Sequence, residues 1–416
     1  MDYVRKAASD ILYNIEKTGA YSNMALKDEL VKYDDFSPRD KRFITALVYG
    51  TLDKRITLDY IISRYSKSKK TAPRVLIILR MGLYQMFFMD KVPDTAAVNE
   101  SVNLAKKFAP RAAGFVNAVL RNAQRGGITY PEKGTAALSV RYSFPERLVK
   151  RWTDDFGYEF TEQMLAAFCE PPRLTLRPNT LKISAEELAA ELGEYGAETD
   201  GAAVFCGGFD IAKSKLYADG FFSVQDKAAM RASEILNPQS GENVIDMCAA
   251  PGGKCAHTAE LMGNRGKVAA FDIYEHKIDL INKNARRLGI DIIDAKLGDA
   301  AEFNPQLENS ADKVLCDVPC TGWGVIGRKP EIKYKDISNL GGLYETQRKI
   351  LKNASKYVKS GGVILYSTCT VNRAENEDAI NDFLENNGGF RREYEKTFYP
   401  HLDNTDGFYI CRLKKE

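Results

Sequence analysis

Two stretches of the chain place a thiol just beyond a strand-like run. Lys313 to Cys316 leads into Asp317-Val318-Pro319-Cys320, and Val363 to Tyr366 leads into Ser367-Thr368-Cys369-Thr370. In doubly wound sheets, ligands gather outside the carboxyl ends of the strands. If the two runs are neighbours, both thiols face one cleft beside Asp317. A pair of thiols suits methylation at carbon. Carbon 5 of cytosine is a poor nucleophile, but a thiolate adding to carbon 6 makes it enamine-like and able to take a methyl group from a sulfonium. Loss of the carbon-5 proton then lets the thiol leave. Asp317 can hydrogen-bond the N3/N4 edge and stabilise the protonated adduct. One cysteine attacks and the other assists release; the residues alone do not say which. Cys169, Cys206, Cys316 and Cys411 read as small buried hydrophobes.

A methyl donor needs its own cradle. Val244 to Met247 reads as a strand and is followed by Cys248-Ala249-Ala250-Pro251-Gly252-Gly253-Lys254. Small residues there allow close backbone approach, and a following helix offers its N-terminus to negative charge. A P-loop would need Gly at position 248 and Ser or Thr at 255, where this chain has Cys248 and Cys255. The GxGxxG pattern is missing too, so a phosphate cradle is disfavoured and a nucleoside is not. Asp272 ends the run Lys267 to Phe271, and Gly298-Asp299-Ala300 follows Ile292 to Leu297. Such acids can accept from ribose hydroxyls and reach an adenine amino group. Either one alone could be a helix N-cap. Two at successive strand ends, after a Gly-rich turn, favour the nucleoside, and S-adenosyl-L-methionine fits because it carries no phosphate.

These groups must be held by a framework, and the 416-residue chain is long enough for two or three domains. Apolar spacing predicts helices through Val4, Ala8, Ile11, Leu12 and Ile15, then through Phe43, Leu47 and Val48, with Ser37-Pro38-Arg39-Asp40 as a start signal. Further faces hold Leu58, Ile61 and Ile62, then Val98, Val102 and Ala105, then Phe115, Val116, Val119 and Leu120. Val75 to Met89 is interrupted by Arg80 and is too short to span a membrane, so it reads as a core helix. Gly126-Gly127, Pro131 and Gly134 mark a linker. Beyond it, helical stretches such as Glu146 to Asp154 and Ala185 to Leu192 alternate with strand-like runs such as Arg173 to Leu176. From about residue 240, five short apolar runs alternate with helices, predicting a parallel, doubly wound α/β sheet. Gly407 to Cys411 reads as the closing strand of an antiparallel edge pair.

The net charge of +3 is unevenly spread. Residues 1–130 hold 22 Lys/Arg against 13 Asp/Glu, and the remainder 37 against 43, so a basic region precedes a mildly acidic body. That asymmetry suits a polyanion. Lys67, Lys69, Lys70, Arg121 and Arg125 are candidates for phosphate contacts. Eight cysteines without a CxxC pair, and three histidines, supply neither a disulfide scaffold nor a zinc spacing. The first ten residues lack a signal-peptide core. A cytoplasmic, monomeric protein with no metal and no membrane association is expected.

Cys248 to Lys254, Asp317 to Cys320, Thr368-Cys369 and Gly324-Val325-Ile326 resemble the motifs of the RNA cytosine-C5 methyltransferases. Ala97-Val98-Asn99-Glu100 and the stretch Gly114 to Asn122 resemble a NusB-type RNA-binding domain. The combination is similar to the bacterial 16S rRNA cytosine-C5 methyltransferases over nearly the whole chain. The resemblance implies a multidomain protein: an all-α NusB-like bundle at 1–128, a small α+β RNA-binding or linker module at 140–235, and a Rossmann-like class I S-adenosyl-L-methionine-dependent methyltransferase domain at 236–416. It implies Cys369 as nucleophile and Cys320 as the thiol that promotes release. Cofactor contacts map onto Cys248, Ala249, Ala250, Pro251, Gly252, Gly253, Lys254, Asp272, Asp299 and Asp317. The implied target is a loop or unpaired cytosine of 16S rRNA, of the position-967 type. Gly327 departs from the pattern, standing where many relatives carry a basic residue before Arg328-Lys329-Pro330, which weakens transfer of RNA contacts in that loop. The same chemistry on tRNA is the alternative. A non-catalytic RNA-binding or antitermination factor is a third reading, opposed by retention of both thiols and the acids.

Overall fold

The computed structural model describes residues 2–19, 22–32, 36–68 and 70–416, so Lys69 of the basic cluster lies outside the described residues. The contacts divide the chain into two units: Met1–Cys169 with Arg328–Lys335, and Glu170–Gly327 with Asp336–Glu416.

The first unit is helical. Tyr3–Thr18, Pro38–Asp53, Arg55–Tyr65, Pro73–Phe88, Asp94–Phe108 and Ala113–Gly126 follow the predicted apolar faces, and Ser22–Val31 is a helix that the spacing did not predict. Ser37 and Asp40 form a reciprocal capping box, with Pro38 in the first turn. Ile11, Leu12, Leu47, Leu58, Leu79, Val98 and Leu120 lie in one core. Arg80 is buried in the apolar helix and bonds Asp59 at 2.6 Å as well as Glu16. An irregular stretch lies where the linker is predicted, with Gly127 at φ 69° after the last of these helices. Three more helices, Gly134–Tyr142, Glu146–Phe156 and Tyr158–Cys169, still belong to this unit, so its contact boundary falls well beyond the linker. The cause is packing. Thr57 Oγ1 donates to the Val140 carbonyl at 2.5 Å, Ile56 N–H donates to Ser143 Oγ at 3.0 Å, and Phe144, Trp152 and Phe168 form one aromatic cluster.

Residues 328–335 complete the unit. The Lys333 ammonium is fully buried, 2.6 Å from Asp53 and 4.0 Å from the Phe144 ring centroid. Tyr334 OH donates to the Leu52 carbonyl at 2.8 Å, and Ser22 Oγ donates to Glu331 at 2.9 Å. The carboxyl of Asp53 is raised by burial but lowered further by Lys333 and Lys54, for a net downward shift.

The second unit contains two sheets. Strands β1 (Leu174–Pro178), β2 (Glu198–Asp200), β3 (Ala203–Cys206) and β4 (Phe222–Val224) form an antiparallel sheet in the order β2-β3-β1-β4. It packs on Leu176, Leu188, Val204 and Phe222. The larger sheet comprises β5 (Asn243–Asp246), β6 (Lys267–Asp272), β7 (Ile293–Leu297), β8 (Ala311–Asp317), β9 (Val358–Thr368), β10 (Phe390–Phe398) and β11 (Phe408–Lys415). Their order is β10-β11-β9-β8-β5-β6-β7. The five predicted strands β5 to β9 are parallel, and β11 runs antiparallel to both β9 and β10. The outer partner of the predicted closing strand is β10, which the sequence reading did not find. Among the described residues no helix is long and apolar enough to cross a membrane.

Candidate active site

Strands β5, β6 and β7 step outward to one side, and β8 and β9 to the other, so the order reverses between β5 and β8. A crevice at such a reversal is where open α/β sheets bind ligands. The strand ends line up across it: Cys369 beyond β9, Asp317 and Cys320 at β8, the small-residue turn beyond β5, Asp272 at β6, Asp299 beyond β7.

Parallel pairing sets Asp317 opposite Ser367, and Val318 N–H donates to the Ser367 carbonyl at 3.1 Å. The two thiols following these residues come together, with Cys320 Sγ and Cys369 Sγ 3.1 Å apart. Gly324 N–H donates to the Cys369 carbonyl at 3.0 Å, and Gly407 N–H donates to the Gly324 carbonyl at 2.8 Å. Gly324 has to be glycine, because a Cβ there would lie 1.8 Å from the Gly407 carbonyl oxygen. Asp317 accepts from Ser367 Oγ at 2.9 Å and from the Lys254 ammonium at 2.7 Å. Burial opposes the charge on Lys254, but Asp317, and after it Cys369 and Asp246, more than offset that and hold its pKa above the ordinary value. The hydrogen bond to Cys369 and burial, followed by the charges of Cys369, Glu375 and Asp317, push the Cys320 thiol well up.

Residues 248–252 form the turn that leads from β5 into the helix Gly253–Leu261, whose first turn holds Gly253 and Lys254. Ala249 N–H donates to the Phe271 carbonyl, and Gly252 N–H to the Ala249 carbonyl, both at 2.8 Å. The Ala250–Pro251 peptide is cis. Gly252 sits at φ 104°, a backbone conformation that favours glycine, with Ile281 Cα in tight contact at 3.3 Å from where a Cβ would be. It caps the helix without a side-chain bond, an arrangement that suits the first-turn N–H groups to an anionic ligand.

Three acids repeat one local geometry. Asp246, Asp272 and Asp299 each accept from the backbone N–H two residues on, at Cys248, Tyr274 and Ala301. This Asx-type bond uses one carboxylate oxygen and turns the chain out of the strand. Asp272 is buried and lies 3.4 Å from Lys277. Asp299 is exposed and lines a cavity of about 310 Å³ with Met247, Phe271 and Phe303. Asp246 was missed as a site residue by sequence reasoning, although an acid at the end of the first strand was its signal. Its Oδ2 is buried without a partner, and burial, then the charge of Asp317, push it up to about 7. An orphaned acceptor, an acid at each neighbouring strand end and a cavity of mixed polar and apolar lining fit a ligand with hydroxyl, amino and flat aromatic parts. Cys206, Cys255, Cys316 and Cys411 are buried, and burial raises each thiol, whereas Cys169, expected among the buried ones, is only half-buried. No group of three potential metal ligands occurs among the described residues.

Residues 233–414 match the family described as 16S rRNA methyltransferase RsmB/F, residues 3–125 the NusB family, and residues 144–214 the ferredoxin-like domain of RsmF/B-like methyltransferases. A probable ribosomal RNA small subunit methyltransferase B of Bacillus subtilis is 38% identical, covering 99% of both chains. The chain belongs to the ribosomal RNA small subunit methyltransferase B family. The Vibrio cholerae family member is 31% identical over 99% of this chain and 98% of its own. Among solved structures, that of PH0851 is similar with a TM-score of 0.83 and 28% identity, covering 98% of each chain. A methyltransferase homologue from Pyrococcus horikoshii is similar with a TM-score of 0.61 and 25% identity, over 69% of this chain and 100% of its own. As a member of this family the protein is an S-adenosyl-L-methionine-dependent rRNA methyltransferase. The NusB-like bundle, the ferredoxin-like module and the Rossmann-like domain are the family's three folds.

Proposed function

We propose that the protein methylates carbon 5 of one cytosine of 16S rRNA, of the position-967 type, through a covalent adduct between Cys369 and carbon 6. The observation that carries this reading is the pair of thiols 3.1 Å apart beside the Asp317–Lys254 ion pair. When bound, S-adenosyl-L-methionine supplies an electrophilic methyl group on its sulfonium.

The protein's own residues do the rest. Asp272 would hold the cofactor by accepting from the ribose hydroxyls, Asp299 at the 310 Å³ cavity by accepting from the adenine amino group, and the helix after Gly252 would offer its first-turn N–H groups to the carboxylate. Asp317 holds the N3/N4 edge of the flipped base. The Cys369 thiolate adds to carbon 6, and the ring electrons displaced from the C5=C6 bond make carbon 5 nucleophilic. Lys254 lies where its ammonium offsets negative charge at Cys369 and Asp317. After methyl transfer the carbon-5 proton is lost, its electron pair re-forms C5=C6, and the Cys369 sulfur leaves. Cys320, in contact with that sulfur, assists this release. A base can reach the thiols only outside a stack, which favours a loop or unpaired nucleotide. Residues 1–128 hold the RNA, 140–235 form the small module, and 236–416 carry the chemistry.

Bisulfite mapping of total RNA with and without the gene tests the substrate. Loss of one 5-methylcytosine in 16S rRNA is expected; an intact rRNA map with a lost tRNA mark would transfer the reading to tRNA. With purified protein, Cys369→Ala abolishes methylation, whereas Cys320→Ala accumulates a covalent protein–RNA complex. An adduct formed by the Cys369 variant instead would exchange the two roles.

A further inference from the structure

Beginning four residues after the second thiol, a short turn at Arg373–Glu375 carries an acid into the interior, and Glu375 is fully buried. Its carboxylate is ringed by donors from three separate segments. Oε2 accepts from Thr321 N–H and from Gln347 Nε2, each at 2.9 Å. Oε1 accepts from Thr321 Oγ1 at 2.6 Å and from Asn372 Nδ2 at 2.7 Å. Four donors match the four acceptor sites of one carboxylate.

The arrangement joins the two thiol loops. Thr321 follows Cys320 and Thr370 follows Cys369, and their hydroxyl oxygens are 2.8 Å apart. Because the Thr321 hydroxyl donates to Glu375, it accepts from Thr370. Gln347, on the helix Gly341–Tyr357, donates from the same nitrogen to the Pro319 carbonyl at 2.9 Å, so it grips the first loop one residue before its thiol. The amide orientation is dictated by its two acceptors and leaves Oε1 buried without a partner. Asn376 grips the second loop, accepting from Thr368 Oγ1 at 2.6 Å and donating to the Thr370 carbonyl at 3.0 Å. Tyr366 OH donates to the Glu375 carbonyl at 2.8 Å and pins the turn to β9.

We propose that Glu375 is a positioning residue for methyl transfer, a buried carboxylate that fixes the spacing of the Cys320 and Cys369 thiols by tying Thr321, Asn372 and Gln347 to one point. It touches neither thiol and acts through the loops that carry them. The inference rests on the reading of these thiols as the reacting groups. With Glu375 absent, the Thr321 N–H and the Gln347 amide each lose a buried acceptor, and the Pro319–Thr321 segment is free to move away from Cys369. Misplacement of a reacting group by about 1 Å costs about a hundredfold in rate.

The test uses the full chain, S-adenosyl-L-methionine and small-subunit rRNA from cells lacking the gene. Glu375→Gln and Glu375→Ala are compared with wild type for cofactor Kd, RNA KM, kcat and covalent protein–RNA complex. The expected result is a kcat lowered about a hundredfold by Glu375→Ala, a smaller loss in Glu375→Gln, which keeps one acceptor oxygen, and cofactor Kd and RNA KM unchanged. Wild-type kcat in both variants, or a loss of cofactor binding and melting temperature in step with kcat, would overturn the proposal. If the Glu375 variants do not fold, Thr321→Val removes one bond of the clamp at its loop end and lowers kcat in the same direction; wild-type kcat in that variant would also overturn it. Cys320→Ala is run alongside. Failure of that variant to trap an adduct defeats the release role of Cys320, while the kcat comparison still judges Glu375.

Discussion

Asp246 ends β5 with one oxygen bonded to its own turn and the other buried without a partner. Its pKa is raised from 3.8 to about 7 by burial and then by Asp317. Between those values the folded chain keeps a proton that the unfolded chain has released, so this group's contribution to stability falls as pH rises and is lost through about 7. Melting curves across that interval are expected to decline less steeply for Asp246→Asn than for wild type. An equal slope would remove Asp246 as the titrating group. At this scale Asp246 was passed over as part of its strand, while the thiols and the acids Asp272, Asp299 and Asp317 were legible as strand-end groups, because each follows a short apolar run. Glu375 and Gln347 were not, because neither belongs to a pattern. Their meaning comes from donors brought together out of segments 28 and 54 residues away in sequence.

Arg177 on β1 shows how one element fixes another. Its guanidinium makes a two-pronged contact with Glu260, Nε to Oε2 at 3.1 Å and Nη2 to Oε1 at 2.8 Å, and Nη1 donates to the Gly253 carbonyl at 2.6 Å. Both side chains are buried, and burial raises the Glu260 carboxyl against the pull of Arg177. The four-stranded sheet thereby holds both the start and the end of the helix that follows the small-residue turn. Removing one partner of such a pair leaves an uncompensated buried charge, so Glu260→Ala is expected to destabilise the second unit by about 3–5 kcal/mol in denaturant unfolding. A change below about 1 kcal/mol would show the pair to be dispensable. The strand run near Arg173 was readable from sequence, but not this long-range partner. β10 escaped for a different reason. Its FRREYEKTF sequence carries charges on both faces, as exposed edge strands do, and lacks an apolar alternation to read.

Over the whole molecule, the fold classes were legible because helical spacing dominates the first 125 residues and strand–helix alternation dominates the last 180 or so, counting from Gly241. The membership of residues 328–335 in the first unit was not. Nothing in Arg328-Lys329-Pro330-Glu331 says that Lys333 pairs with Asp53, 280 residues earlier. Lys333→Ala in the full chain is expected to lower the melting temperature of the helical unit followed by far-UV circular dichroism, because Asp53 loses its closest cation; an unchanged melt would make the segment a bystander. The discontinuity also has a temporal side. A ribosome that has finished Cys169 must add 166 more residues before Lys335 exists, which at about 5–20 residues per second takes roughly 8–33 s. Through that interval the nascent bundle waits without the Lys333 bond to Asp53 and the Tyr334 bond to Leu52, so the first part of the chain to be made is not the first part to be completed.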